Sequence, residues 1–256
     1  MKTDFTAEAL AEDALLVRFG DTIDAVTNSR VHAAAQAVRE AALPGVIDIA
    51  PAYASLLLRF DPFAWDDSGK SGTLPQERFA DALRTCLRET AERTLGPGFR
   101  RDNEQNADGP MDAPVRIVEI PVCYGGDFGL DLTDAASHAR MTTDEIIARH
   151  TAGEYTVAML GFAPGFPYLL GLDPTLHMPR RATPRTRVPA GSVAIGGAQA
   201  GIYPCELPGG WQLIGRTPLA VFDPERDRPC LLAPGDRVRF CAIDAAEFAQ
   251  LTEHPA

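Results

Sequence analysis

Four arginines, Arg180, Arg181, Arg185 and Arg187, stand within eight residues of a 256-residue chain whose net charge is −11. Arginine stays charged at any physiological pH and presents a planar fork of donors that matches a carboxylate or phosphate. Pro179, Pro184 and Pro189 recur every five residues through the same stretch, so it cannot coil into a helix and must run extended. Side chains alternate along an extended chain, which predicts Arg185 and Arg187 on one face. A stiff, cation-studded segment in an acidic protein reads as an anion site held on loops. Pairing with the chain's own acids, or stacking on its aromatic rings, is the competing use of each arginine.

Other candidates surround that cluster. Phe162, Phe166 and Tyr168 sit among the turn residues of Gly161 to Tyr168 and either wall a pocket or cover the core. Gln199 follows the turn Gly196-Gly197-Ala198, whose N–H groups could face an anion, and its amide offers the donor and acceptor that a lactam needs. Tyr124 and Tyr203, each beside a glycine, are placed to orient a carbonyl, and Arg216 adds a further cation. His150 closes a helix just before Thr151. There it is either a general acid–base group or a histidinium favoured by the helix dipole. Cys205 lies in the same region and reads as a buried or half-buried thiol rather than a nucleophile.

Composition removes several kinds of chemistry. The five cysteines are scattered without a C-x-x-C pair, so neither zinc nor a disulfide framework is expected, and no metal site is assigned. Lys2 and Lys70 are the only lysines, and no G-x-x-x-x-G-K-[ST] occurs. Phosphate or carboxylate recognition therefore falls to arginine and backbone N–H groups. An acidic chain is a poor partner for nucleic acid. No secretory leader and no apolar run of the roughly 20 residues that span a bilayer is read, which predicts a cytoplasmic protein. No Ser-His-Asp set, G-x-S-x-G elbow or His-x-x-x-His pair can be assembled.

The elements that must position these residues fall into two groups. A strand at Leu15–Phe19, a helix capped by Asn28 or Ser29, strands at Val46–Ala50 and Ala54–Phe60, and a helix from the Thr73-Leu-Pro-Gln76 start to Leu95 give a β-α-β-β-α order. That order predicts a ferredoxin-like α/β sandwich over 1–99. The polar stretch 100–113 reads as a linker. Over 114–256 a strand at Val115–Val122 and helices at Leu130–Ala139 and Thr143–His150 precede short strands between Gly/Pro turns. Gly153 to Arg216 holds 11 of the 22 glycines, which predicts a barrel or sandwich, closed by a strand at Arg237–Ala242 and a short helix after Ala245.

Five motifs occur in one order: Tyr124-Gly-Gly, the segment Leu160 to Tyr168, the segment Pro179 to Ser192, Gly201-Ile-Tyr-Pro204, and the segment Pro208 to Pro218. Together they resemble the family of B subunits of the bacterial ATP-dependent 5-oxoprolinase. This family is also called allophanate hydrolase subunit 1, and it includes an inhibitor of a sporulation histidine kinase. The resemblance implies a cyclophilin-like β-barrel for 114–256. It also implies a protein that works with subunits A and C, using ATP and Mg2+ held by the complex, to open 5-oxo-L-proline to L-glutamate. Phosphorylating the lactam oxygen would make a leaving group, and Arg181, Arg185, Arg187 and Arg216 suit the developing oxyanion. Ala198, Ala200 and Leu207 depart from the family's usual polar residues. The alternative reading is a regulator that inhibits a sensor histidine kinase through its cyclophilin-like part.

Overall fold

A computed structural model describes residues 5–67, 72–94 and 116–253. The chain divides into two compact units, Met1–Pro114 and Val115–Ala256. The expected linker 100–113, and with it the boundaries at 99 and 114, lies outside the described residues, as do Lys2, Lys70 and His254.

The first unit opens with a strand that the periodicity did not predict. Thr6–Ala11 (β1) forms a hairpin with Ala14–Arg18 (β2). Helix α1 covers Ala25–Ala41. It starts earlier than expected because Asp24, not Asn28 or Ser29, caps it by accepting from the Thr27 N–H at 2.8 Å. Asn28 is buried instead, and its amide donates to the Ala52 and Tyr53 carbonyls. These groups lie between strands β3 (Val46–Pro51) and β4 (Ser55–Phe60). The sheet order is β1-β2-β4-β3 and every pairing is antiparallel. Pro51 is tolerated because β3 is an edge strand.

A short 3-10 turn at Pro62–Trp65 leads toward helix α2, Pro75–Thr94. At its start Glu77 accepts from the Leu74 N–H at 3.0 Å. Period-two alternation buries Leu15 and Val17 on β2 and Leu56, Leu58 and Phe60 on β4. These meet Val31, Ala35 and Val38 of α1 and Phe79, Leu83 and Leu87 of α2. Phe79 stacks on Phe60 with centroids 4.2 Å apart.

The second unit is a closed seven-stranded β-barrel. Its strands are Ile117–Tyr124 (β5), Tyr155–Leu160 (β6), Pro167–Leu170 (β7), Ser192–Gly196 (β9), Gln199–Ile202 (β10), Gln212–Arg216 (β12) and Arg237–Ile243 (β13). The ring runs β10-β7-β6-β13-β5-β12-β9 and back to β10. β5 and β13 pair in parallel and the other neighbours pair antiparallel. Closure leaves no unpaired edge in the ring. Helices α3 (Leu132–Ala139) and α4 (Thr143–Ala152) add Leu132, Ala135, Ala136 and Ile146 to the barrel core. The Thr142/Glu145 capping box expected for α4 is formed in both directions. Helix α5 covers Ala245–Glu253.

Two further strands, Arg185–Val188 (β8) and Leu207–Gly209 (β11), pair as a separate ribbon. β9 is buried throughout because it serves two cores. Val193 and Ile195 belong to the barrel interior, whereas Ala194 joins a smaller cluster with Phe166, Val188, Tyr203, Trp211 and Leu213. Glycine makes that cluster possible. A Cβ at Gly196 would stand 2.5 Å from the Trp211 ring, and one at Gly209 would overlap the Tyr203 phenol. Neither glycine has a positive φ, so both are required for close approach and not for conformation.

Adjacent glycines therefore separate the two causes. Gly209→Ala should lower unfolding free energy by about 1–3 kcal/mol, the usual cost of overpacking. Gly210→Ala, where the nearest atom to a new Cβ is 3.5 Å away, should stay within about 0.5 kcal/mol. Urea denaturation of the two variants measures the difference.

Candidate functional site

The Gly161–Tyr168 turn, the 180–184 segment and the β11 ribbon bracket a cup of about 280 Å³. Phe162, Phe166, Tyr168, Tyr203 and Trp211 supply its aromatic lining, and Arg180 and Arg181 its cations. Phe166 is the hub. Its ring meets Phe162, Tyr203 and Trp211 edge-on, at centroid distances of 5.5, 5.2 and 5.6 Å. Burial raises the Tyr203 phenol above its ordinary pKa, so it is neutral at physiological pH. It packs against Gly209 as part of the floor.

The cations divide into those already engaged and one that is open. Asp131, 2 % exposed, precedes α3 but makes no side-chain cap. One of its oxygens accepts from Arg181 at 2.8 Å and Arg185 at 2.7 Å. The other accepts from Arg185 at 2.8 Å and the Leu213 N–H at 2.7 Å. Four donors thus fill the roughly four lone-pair positions of one carboxylate. Both terminal nitrogens of Arg185, expected as a catalytic cation, are engaged by Asp131. Arg181 is half engaged: its Nε is buried without a partner, while its own backbone N–H donates to the Gly210 carbonyl at 2.7 Å. Arg180 makes no ion pair among the described residues; its guanidinium lies over the Trp211 ring at 5.6 Å.

The remaining expected residues lie elsewhere. Arg187 pairs with Glu206 at 2.8 Å, its side chain 77 % exposed, a contact worth about 0–1 kcal/mol. The Arg216 Nε donates to the Ala190 carbonyl. Gln199 pairs with Gly196 across the β9–β10 hairpin, and the Gly197 N–H is taken by the Met178 carbonyl. Cys205 is exposed, not buried.

Tyr124 and His150 meet inside the barrel, the phenol 2.8 Å from Nδ1. His150 is wholly buried against Tyr155 and Phe240, and its Nε2 has no partner. Burial pulls its pKa down to about 3, so the imidazole is neutral and the helix-dipole histidinium is corrected. The structure does not bring this pair to the cup.

Asp131 and Trp211 were not singled out from sequence. Asp131 looks like any helix N-cap; the only hint was an excess of arginine needing a counter-charge. Trp211 was visible within Pro208-Gly-Gly-Trp but carried no sign that it would underlie Arg180.

Phe162 is distinctive. Its φ is +65°, and the Ala163 N–H donates to the Gly161 carbonyl at 2.7 Å, closing a three-residue turn around it. Such a turn is rare and strained for a residue with a side chain. The ring is held 62 % exposed at the rim.

Residues 5–232 match the family described as carboxyltransferase domain, subdomain C and D. Over 249 residues the chain is 42% identical to the 5-oxoprolinase B subunit of Bacillus subtilis, covering 97% of each. It is 58% identical over 130 residues to the 5-oxoprolinase B subunit of Escherichia coli O157:H7, covering 51% of this chain and 60% of the relative. The crystal structure of TTHA0988 superposes with a TM-score of 0.70 at 37% identity. That match covers 91% of this chain and 40% of the length of the other.

Two predictions separate structural from ligand roles. Arg185→Ala strands a buried carboxylate and should cost about 3 kcal/mol of stability. Arg180→Ala removes an exposed group and should cost under about 0.5 kcal/mol. Chemical denaturation checks both.

His150 sets a pH dependence. Its folded pKa lies below the ordinary 6.5, so the unfolded chain takes the proton first as pH falls. The stabilisation is complete above about pH 6.5 and declines by about 1.4 kcal/mol per unit toward pH 3. Between pH 7 and 5 the wild type should lose about 2 kcal/mol more than His150→Gln, read from urea midpoints at each pH.

Proposed function

The chain belongs to the family of carboxyltransferase domains, subdomain C and D, and within it to the B subunits of 5-oxoprolinase; from that membership we propose that it is a component of an ATP-dependent 5-oxoprolinase. In this reading it works in the cytoplasm with subunits A and C, and the complex converts 5-oxo-L-proline, ATP and water to L-glutamate, ADP and phosphate. The first unit is read as a ferredoxin-like sandwich and the barrel as cyclophilin-like. The observation that carries the proposal on this chain is the cup. It pairs aromatic walls with an arginine that no carboxylate of the chain neutralises among the described residues, a combination suited to an anionic organic reactant.

ATP and Mg2+ are assigned to the complex. Among the described residues no group of three or more His, Cys, Asp or Glu could hold a metal ion, and the sequence lacks a P-loop lysine. What its residues do is local. Asp131 fixes Arg181 and Arg185, which fixes the 180–184 segment, and that segment presents Arg180 over Trp211. Preorganised cations of this kind stabilise negative charge without reorganising during reaction.

The purified chain alone should not turn over 5-oxo-L-proline, and activity should arise on adding cognate subunits A and C with Mg-ATP. Coupled ADP release and glutamate formation report the reaction. Turnover by the chain alone would overturn the multi-subunit reading, and an inactive complex of folded subunits would overturn the 5-oxoprolinase reading.

A further inference from the structure

We infer that the cup seats a small cyclic amide bearing a carboxylate, with Arg180 taking the carboxylate, the aromatic floor taking the ring, and Phe162 closing over it. The inference rests on the 5-oxoprolinase reading for the identity of the amide, and on the cup for everything else.

The cation inventory assigns the carboxylate. Of the two arginines lining the cup, Arg181 is tied to Asp131 at 2.8 Å and, through its main chain, to Gly210. Arg180 has no such tie among the described residues. Its guanidinium carbon lies over the indole of Trp211, 5.6 Å from the ring centroid, and a guanidinium placed over a ring can still turn its edge donors to a bidentate acid. That same contact disfavours the opposite class of ligand. A cup of aromatic rings would otherwise suit an ammonium group, but here a cation already covers Trp211 and would repel a second. No Asp or Glu lines the cup to offset this.

Size and polarity limit the rest of the ligand. A volume of about 280 Å³ lies at the lower end for small-molecule pockets, which points to a metabolite of a few heavy atoms. Apart from the two arginines, the lining consists of aromatic rings, two prolines and the backbone of Gly209 and Gly210. Flat aromatic faces and glycine backbone suit a compact ring whose polar edge is a peptide-like amide.

Phe162 is the feature that folding does not account for. A left-handed backbone on an aromatic residue is strained, and Phe162, 62 % exposed, forgoes most of the burial gain. The strained turn nevertheless holds that ring 5.5 Å from Phe166 at an interplanar angle of 82°, on the rim directly above the floor. A ligand on the floor would give the ring an apolar surface to cover. Strain kept at a rim residue in this way is a cost borne for binding.

The test uses the full chain, by calorimetry, with 5-oxo-L-proline, 2-pyrrolidinone and inorganic phosphate as probes. The reconstituted complex supplies KM values. Expected are binding of 5-oxo-L-proline, at least tenfold weaker binding of 2-pyrrolidinone, and weakening of about tenfold or more in Arg180→Ala. Phe162→Gly should keep or raise the melting temperature, because glycine accepts the positive φ, yet weaken binding several-fold. In the complex, Arg180→Ala should raise KM for 5-oxo-L-proline about tenfold and leave KM for ATP unchanged. If the chain alone binds nothing but the complex shows that KM shift, the cup stands as a seat completed by a partner. Wild-type affinity and KM in Arg180→Ala, equal binding of 2-pyrrolidinone, or phosphate binding as tightly as 5-oxo-L-proline would each overturn the inference. An active complex with a wild-type-like Arg180→Ala rejects the cup while leaving the 5-oxoprolinase reading intact. Binding by the chain with an inactive complex does the reverse.

Discussion

One buried carboxylate organises the candidate site. Asp131 receives two bonds from Arg185, one from Arg181 and one from the Leu213 backbone. It thereby ties the start of α3 to β12 and to the proline-rich segment that runs into β8. A charge removed from water is tolerable only when its lone pairs are matched, and here every one has a donor. The arrangement is also directional. Because Arg181 and Arg185 are held from behind, the chain between them is fixed, and the preceding residue, Arg180, is left facing the cup with no acid of its own among the described residues.

Glycine contributes to the same rigidity in a way that differs from its usual one. In the strands around the cup it makes room for rings. Trp211 lies against Gly196 and Tyr203 against Gly209, so large flat side chains rest directly on backbone. Rings seated this way cannot change rotamer without losing the contact, and the floor is stiff before any ligand arrives. Preorganisation of this kind lowers the entropy cost of binding.

The barrel interior and the cup are kept apart by β9, which presents Val193 and Ile195 to one core and Ala194 to the other. The separation explains why two polar candidates end in different roles. Tyr203 lies on the cup side and becomes part of its floor. The Tyr124–His150 pair lies on the barrel side, where burial keeps the imidazole neutral and makes the contact sensitive to acid.

Much of the architecture was legible in sequence because it follows from local rules. The Thr142/Glu145 box, the period-two apolar residues of β2 and β4 and the Gly/Pro punctuation of the second unit specified helices, strands and turns to within a few residues. The aromatic Gly161–Tyr168 turn and the four arginines from Arg180 to Arg187 stood out by residue type; Phe162, Phe166, Tyr168, Arg180 and Arg181 line one cup, and Arg185 and Arg187 do not. What sequence could not decide was partnership. Asp24 outcompeted Asn28 as a cap because Asn28's amide was needed by carbonyls 24 and 25 residues away. Arg185 and Arg180 look equivalent along the chain, yet Asp131, 54 residues before Arg185, engages one and leaves the other open. Local propensity acts over a few residues and can be read from spacing. The pairing of a buried charge depends on which distant side chain the fold brings within hydrogen-bond reach, and only the tertiary structure decides that.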